Sequence, residues 1–208
     1  MKKKYLIIIS ILLIIFLGML GIVLFDKDLV FDSAVYNFVI SFRCDTLDNF
    51  FKTVTKFGNT LSIVGVVCLF VLIFRNKYSL LLVISTLDSV ILNTIIKHVV
   101  RRDRPSVLRL ISQGGYSFPS GHAMISVCVY GFLLYLAFSK IKNKYLKYIS
   151  SFLLFMLIIS IGLSRIYVGV HYASDILAGY SLALIEVILL VQLDKNIKIE
   201  DGKICIKW

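Results

Sequence analysis

Apolar residues in this chain gather into long runs, and the charges collect in the short segments between them. The runs are 5–25, 61–74, 78–96, 120–138, 149–163 and 175–193. A helix needs about 20 apolar residues to cross a bilayer, so most are near spanning length and 61–74 is short. The segment 26–59 differs in mixing charged and apolar residues. There Val35, Phe38, Val39 and Phe42 share one helical face, and Leu47, Phe50, Phe51 and Val54 share another. Two short amphipathic helices at the membrane interface fit that spacing, either capping the bundle or gating a substrate. In the third run Thr86, Ser89, Asn93 and then Lys97 recur at steps of three and four, a polar stripe that should face protein rather than lipid. Asp88 lies off the stripe and is expected to be a buried, hydrogen-bonded acid. The pattern predicts an all-α integral membrane bundle of six transmembrane helices, with short amphipathic helices between the first and second. It is a single domain, 1–208, closed by a polar tail.

Composition agrees. Of the 208 residues 59% are hydrophobic, against about 45–50% in soluble domains. Met1-Lys-Lys-Lys precedes an apolar run longer than the 7–15 residues of a signal peptide core, with no small-residue cleavage site. It reads as an uncleaved first span starting in the cytoplasm. Cys44, Cys68, Cys128 and Cys205 show no short spacing, and His98, His122 and His171 are too few for a convincing metal cluster. No metal, cofactor or obligate protein partner is implied.

A net charge of +11 could suggest nucleic acid, but the cations sit in blocks between apolar runs. That favours topology and anionic membrane lipids, and the basic-aromatic interleaving of single-strand binders is missing. With the N-terminus inside, Lys2–Lys4, Arg75, Lys77, Lys140, Lys142, Lys144, Lys147, Lys195, Lys198, Lys203 and Lys207 are cytoplasmic. These are thirteen basic residues against three acidic ones, a positive-inside signal that puts both termini in the cytoplasm. A second cluster breaks the rule: Lys97, Arg101, Arg102, Arg104, Arg109 and Arg165 fall on the outer side. Cations placed against the topological preference point to a bound anion.

Three segments end on that face: Lys97 to Pro105, Pro119-Ser-Gly-His122, and Ser164-Arg165 followed by His171 and Asp175. Together they suit phosphoryl transfer. Lys97, Arg104 and Arg165 offer charge and forked donors to phosphate oxygens. Ser120 and Gly121 open the fourth helix, where free amides and the helix dipole favour an anion. His171 and Asp175 are four apart, so the carboxylate can orient the imidazole as a nucleophile, or else Asp175 merely caps a helix beside an interfacial histidine. His122 can protonate the leaving oxygen and then activate water. The spacing leaves open an exchange of roles between the two histidines.

These segments resemble the tripartite signature of the type 2 phosphatidic acid phosphatase family: Lys-x6-Arg-Pro, Pro-Ser-Gly-His and Ser-Arg-x5-His-x3-Asp, matched at every position. The resemblance covers 97–179 by motif and nearly the whole chain by helix layout. It implies a metal-independent membrane phosphatase with a phosphohistidine on His171, His122 and Asp175 as its other catalytic residues, and vanadate sensitivity. Lys97, Arg104, Ser120, Gly121 and Arg165 would bind the substrate phosphate. Candidate substrates are undecaprenyl diphosphate, phosphatidylglycerophosphate or phosphatidic acid, with the headgroup at the extracytoplasmic face of the cell membrane. The family is also similar to vanadium haloperoxidases, which are large and soluble, unlike this chain.

Other residues have plainer expectations. His98 should be interfacial, Tyr167 and Tyr172 should pack at the interface rather than act as ligands, Arg101, Arg102 and Arg109 should meet lipid headgroups or the anion, and Glu186 should be hydrogen-bonded within the bundle. A non-catalytic lipid-phosphate binding or transport protein would keep the cation cluster without needing an oriented histidine, and a structural membrane protein would have no use for arginines on the outer side.

Overall fold

The computed structural model describes residues 3–25, 30–200 and 203–206, with side chains described up to Lys195. Lys2, Asp26, Lys27, Asp28, Asp201 and Lys207, part of the charge pattern above, lie outside the described residues. The helices are α1 (Lys3–Phe25), α2 (Val30–Ile40), α3 (Asp45–Val54), α4 (Thr60–Phe74), α5 (Lys77–Val100), α6 (Gly121–Ser126), α7 (Phe132–Lys140), α8 (Lys144–Tyr167) and α9 (Ala173–Asn196). A π turn, Val127–Gly131, joins α6 to α7 as one span.

Among the described residues five spans are long and apolar enough to cross a membrane: α1, α5, α6–α7, α8 and α9. The sixth is α4, whose 15 residues reach about 22 Å, short of a hydrocarbon core of about 30 Å. It continues backwards through the 3-10 turn Thr55–Gly58 into α3 across a 53° bend. Only together do the two bent segments reach spanning length. The expected six-helix bundle stands, with α8 longer at both ends than the apolar run because the lysine-bearing segment after Asn143 is already helical. The Asn143 side chain accepts from Leu146 N at 3.0 Å, satisfying one of the free amides of that helix start.

The central post is α9, which packs against α1, α5, α6 and α2. The main core lies between α4, α5, α6–α7, α8 and α9, around Leu82, Met124, Cys128, Phe132, Ile161 and Ala183. The polar stripe of α5 does face inward: Ser89 is buried, and Asn93 Nδ2 donates to Pro119 O at 3.0 Å. Asp88 is not buried as expected. It is exposed on the same helix side as Leu87 and Ile91, within electrostatic reach of Glu186. Glu186 has a partner that the sequence did not reveal, since Cys128 Sγ donates to its Oε2 at 2.9 Å.

The apolar faces of α2 and α3 split. Val39, Phe51 and Val54 are buried, Val35 and Leu47 pack beside them, and Phe38, Phe42 and Phe50 are exposed. Helix α2 packs on α8 and α9, and α3 packs on α8. Beyond α9 the expected polar tail instead forms two short antiparallel strands, β1 (Ile197–Glu200) and β2 (Lys203–Ile206), with Ile197 opposite Ile206. Isoleucine at every second position and the Asp201-Gly202 dipeptide between the strands were the readable signals.

Candidate active site

The C-terminal ends of α5 and α8 and the N-terminal ends of α6 and α9 meet at one end of the bundle. Each contributes a residue from the three sequence segments. His171 stands on a turn between α8 and α9 that depends on Gly169. That glycine has φ +76°, and an added Cβ would come within 2.7 Å of Leu108 O, so backbone conformation and space both require glycine.

His171 is 3% exposed and Asp175 is fully buried. His171 Nδ1 lies 3.3 Å from Asp175 Oδ2, and its Nε2 lies 3.0 Å from Arg104 Nη1. A guanidinium has donors only, so Nε2 accepts from Arg104. The ring proton is then on Nδ1, directed at Asp175, and the lone pair on Nε2 faces the cations. Burial, and then the charges of Arg165, Arg104 and Lys97, hold this imidazole well below the usual histidine range. His171 is thus neutral at neutral pH, as a nitrogen nucleophile requires.

Backbone carbonyls hold the cations in place. Arg104 donates to Gly114 O, Gly115 O, Tyr116 O and Val170 O, the last at 2.8 Å, while Lys97 Nζ donates to Tyr116 O and Ser117 O. Arg165 is 1% exposed; its Nη1 donates to Thr55 Oγ1 at 2.6 Å and its Nη2 to Gln113 Oε1 at 2.7 Å. Its buried Nε has no partner among the described residues.

His122 faces the same cluster, with Lys97, Arg104, Arg165 and His171 all within electrostatic reach. Its Nε2 donates to Asn59 Oδ1 at 2.8 Å. Ser120 is less free than the sequence suggested. Its amide donates to Asp175 O at 3.1 Å, and its carbonyl takes the first intrahelical bond from Met124 N. The amides left ahead of that bond are those of Gly121 and His122. At Gly121 a Cβ would lie 3.0 Å from Asn93 Oδ1, so glycine keeps this turn tight against α5.

Several residues were missed or misread. Thr55, Asn59 and Gln113 carry no pattern in sequence, yet they hold Arg165 and His122. Arg102 spends its guanidinium on other side chains. Its Nη1 donates to Asp175 Oδ1 and its Nη2 to Asp32 Oδ2, both at 2.7 Å, and its guanidinium lies 3.9 Å from the Tyr172 ring centroid. Burial works against its charge, but Asp175 and Asp32 more than offset that and hold the guanidinium above its ordinary range. Asp32, in a segment that reads as interfacial, is 3% exposed. Breaking such a buried pair from one side costs about 3–5 kcal/mol, because the remaining charge is stranded. Tyr167 is a packing residue, as expected, and its hydroxyl adds a bond that the sequence did not reveal, donating to Asp48 Oδ1 at 2.7 Å while its ring packs on Phe51. Arg101 and Arg109 turn back on their own loop, donating to His98 O and Pro105 O. His98 is exposed, as expected. Among the described residues no group of three His, Cys, Asp or Glu side chains could hold a metal ion.

A helical membrane bundle with an oriented histidine, a second histidine and three converging cations at one end defines a class. The sequence model of the PAP2 superfamily matches residues 77–198, and the chain belongs to that superfamily. It is 29% identical to phosphatidylglycerophosphatase B of Bacillus subtilis over 176 residues, covering 80% of this chain and 85% of that protein. It is 26% identical over 206 residues to an undecaprenyl-diphosphatase of Sulfolobus acidocaldarius, covering 94% of each. The crystal structure of a transmembrane PAP2-type phosphatidylglycerolphosphate phosphatase from Bacillus subtilis superposes with a TM-score of 0.81 at 25% identity, over 91% of this chain and 97% of that one. Aquifex aeolicus LpxE shares the fold, with a TM-score of 0.68 at 23% identity over 80% of this chain and 98% of that one.

Proposed function

We propose that this chain hydrolyses a lipid phosphate or diphosphate through a phosphohistidine on His171. One observation carries the proposal. The Nε2 lone pair of a neutral, Asp175-held imidazole faces Arg104 among three cations, within reach of a second histidine. Pure binding of an anion needs the cations but not the oriented imidazole. Superfamily membership and the names of two relatives support the substrate class.

In the first step Nε2 attacks phosphorus. Arg104, Lys97 and Arg165 take up the charge on the oxygens, with the buried Arg165 Nε as one more available donor. His122 enters this step as imidazolium, its charge balanced by the bound phosphate, and gives its second ring proton to the leaving oxygen, which departs as an alcohol or a lipid phosphate. In the second step His122 takes a proton from water as the water attacks phosphohistidine, and inorganic phosphate leaves with the original imidazole restored. Both steps run on side chains alone, with no metal.

A cavity of about 360 Å³ beside Arg104 supports a lipid substrate. Arg101, Arg102, Asp103 and Arg104 make one wall, and Val23, Leu24 and Val100, from α1 and α5, make the other. A charged headgroup and an apolar tail find matching surfaces there. The cluster of Lys77, Asp194 and Tyr135 marks the opposite end of the bundle, and the positive-inside pattern assigns that end to the cytoplasm. The proposed site then faces outward.

The test is phosphate release in detergent from undecaprenyl diphosphate, phosphatidylglycerophosphate and phosphatidic acid. Turnover of at least one, insensitive to EDTA, blocked by vanadate and lost in folded His171→Ala, is expected. Substantial activity in that variant would overturn the assignment of the nucleophile.

A further inference from the structure

We propose that Asp32 and Arg102 are positioning residues for the reaction, forming a charge relay from α2 that fixes Asp175 and thereby His171. The inference rests on His171 being the nucleophile. It is carried by a continuous chain of short contacts across three separate segments. Asp32 Oδ1 accepts from the backbone amide of Ser174 at 2.8 Å, in the first turn of α9, so α2 caps α9 in trans. Asp32 Oδ2 accepts from Ser174 Oγ and from Arg102 Nη2, both at 2.7 Å. Arg102 Nη1 donates to Ser174 Oγ and to Asp175 Oδ1, both at 2.7 Å. Asp175 Oδ2 is thereby left for His171 Nδ1, with the Tyr172 amide donating to it at 2.9 Å.

The relay acts in two ways. Geometrically, a carboxylate held at Oδ1 cannot rotate, so Oδ2 stays on the imidazole and Nε2 stays aimed at the phosphate cradle. A planar fork spans two carboxylates, and a lysine ammonium cannot. Electrostatically, Arg102 shares its charge between Asp32 and Asp175, and this sets how much of the Asp175 charge reaches His171. The other charged or titratable groups facing His171 are Lys97 from α5, His122 from α6, Arg104 from the 101–120 loop and Arg165 from α8. None of them touches Asp32 in the described contacts.

The packing of α2 makes this more than a local cap. Val35, Tyr36 and Val39 seat the helix on Tyr167, Val168, Val170, Ala173 and Ile176, the walls of the His171 turn. Docking of the interfacial helix and orientation of the nucleophile are therefore one event.

The experiment measures kcat, KM and the pH profile for folded, detergent-solubilised Asp32→Asn, Arg102→Gln and Arg102→Lys, with phosphoenzyme trapping on the wild type and His171→Ala. Loss of a residue that orients a reactive ligand from behind typically costs about 10–100-fold. That loss is expected in kcat; in Asp32→Asn, whose side chain lies outside the headgroup cavity, KM changes less than about twofold. In Arg102→Gln the full Asp175 charge reaches His171 and a nearby cation is lost, so the acid limb of kcat/KM moves to higher pH. In Asp32→Asn the whole Arg102 charge falls on Asp175, so the limb moves to lower pH. Arg102→Lys does not restore kcat. Limbs that move together, or kcat values equal to wild type, overturn the relay. Should Asp32→Asn not fold, Ser174→Ala removes one bridging oxygen and no charge. It is expected to lower kcat severalfold at constant KM, and wild-type kcat there also overturns the relay. An active His171→Ala would instead defeat the nucleophile assignment, which separates the two failures.

Discussion

Gly58 and His122 approach so closely that a methyl group on Gly58 would stand 2.7 Å from Cδ2 of the imidazole and 3.0 Å from Ile161 Cγ2. The glycine at the foot of α4 thus sets the ring plane of the proposed acid–base residue. Gly58→Ala should push the ring off its 2.8 Å bond to Asn59 and lower kcat by about 10–100-fold, the usual range of general acid–base assistance being 10²–10⁴. Steady-state phosphate release, with circular dichroism to check the helices, tests it.

His122→Asn should discriminate between leaving groups. A leaving oxygen that needs no proton, such as p-nitrophenolate, can still transfer its phosphoryl group to His171, whereas a lipid alcohol cannot. Phosphoenzyme should accumulate from the activated substrate, because the water-activating step is lost too. Acid-labile label on the protein after a rapid quench is the measurement, and its absence there would contradict the roles given to the two histidines.

Acid should destabilise the fold through His171. Its folded-state pKa is pushed down from an unfolded value of about 6.5, so the unfolded chain binds the proton more readily. The stabilisation is complete above about pH 6.5 and is lost progressively as the pH falls below it. Thermal unfolding in detergent at pH 7.5 and 5.5 should show a lower midpoint in acid, with a smaller drop in His171→Asn.

Arg165→Lys should be nearly as damaging as Arg165→Ala. A lysine keeps the charge but cannot reach Thr55 and Gln113 together while leaving a third donor for a phosphate oxygen. A loss of about 100-fold or more in kcat/KM is expected from either variant, and near-normal activity in the lysine variant would mean that charge alone suffices there.

Much of this arrangement could be read from the chain. Lys97 and Arg165 announce themselves because each follows an apolar run on the side where topology disfavours cations, His122 because it opens a run on that side, and His171 and Asp175 because they stand four apart at the start of the sixth run. What holds them could not be read so easily. Asn59, Thr55 and Gln113 act across 63, 110 and 52 residues, and a single polar residue in an interfacial segment looks alike whether it is wet or buried. Arg102 was hidden among arginines of the same loop. Asp32 did leave a trace, since it falls on one helical face with Tyr36 and Val39, the face that α2 turns to the bundle. An acid on an apolar face was the clue. The hydroxyl of Tyr167 gave none, because Asp48 lies 119 residues away.

Asp32 and Ser174 are separated by 142 residues. At a synthesis rate of about 5–20 residues per second, Asp32 leaves the ribosome roughly 7–28 s before its partner. Until α9 is inserted, the α2 carboxylate has neither the Ser174 amide to cap nor Asp175 to share Arg102 with. The contacts that orient His171 are therefore completed only once α9 joins helices made many seconds earlier.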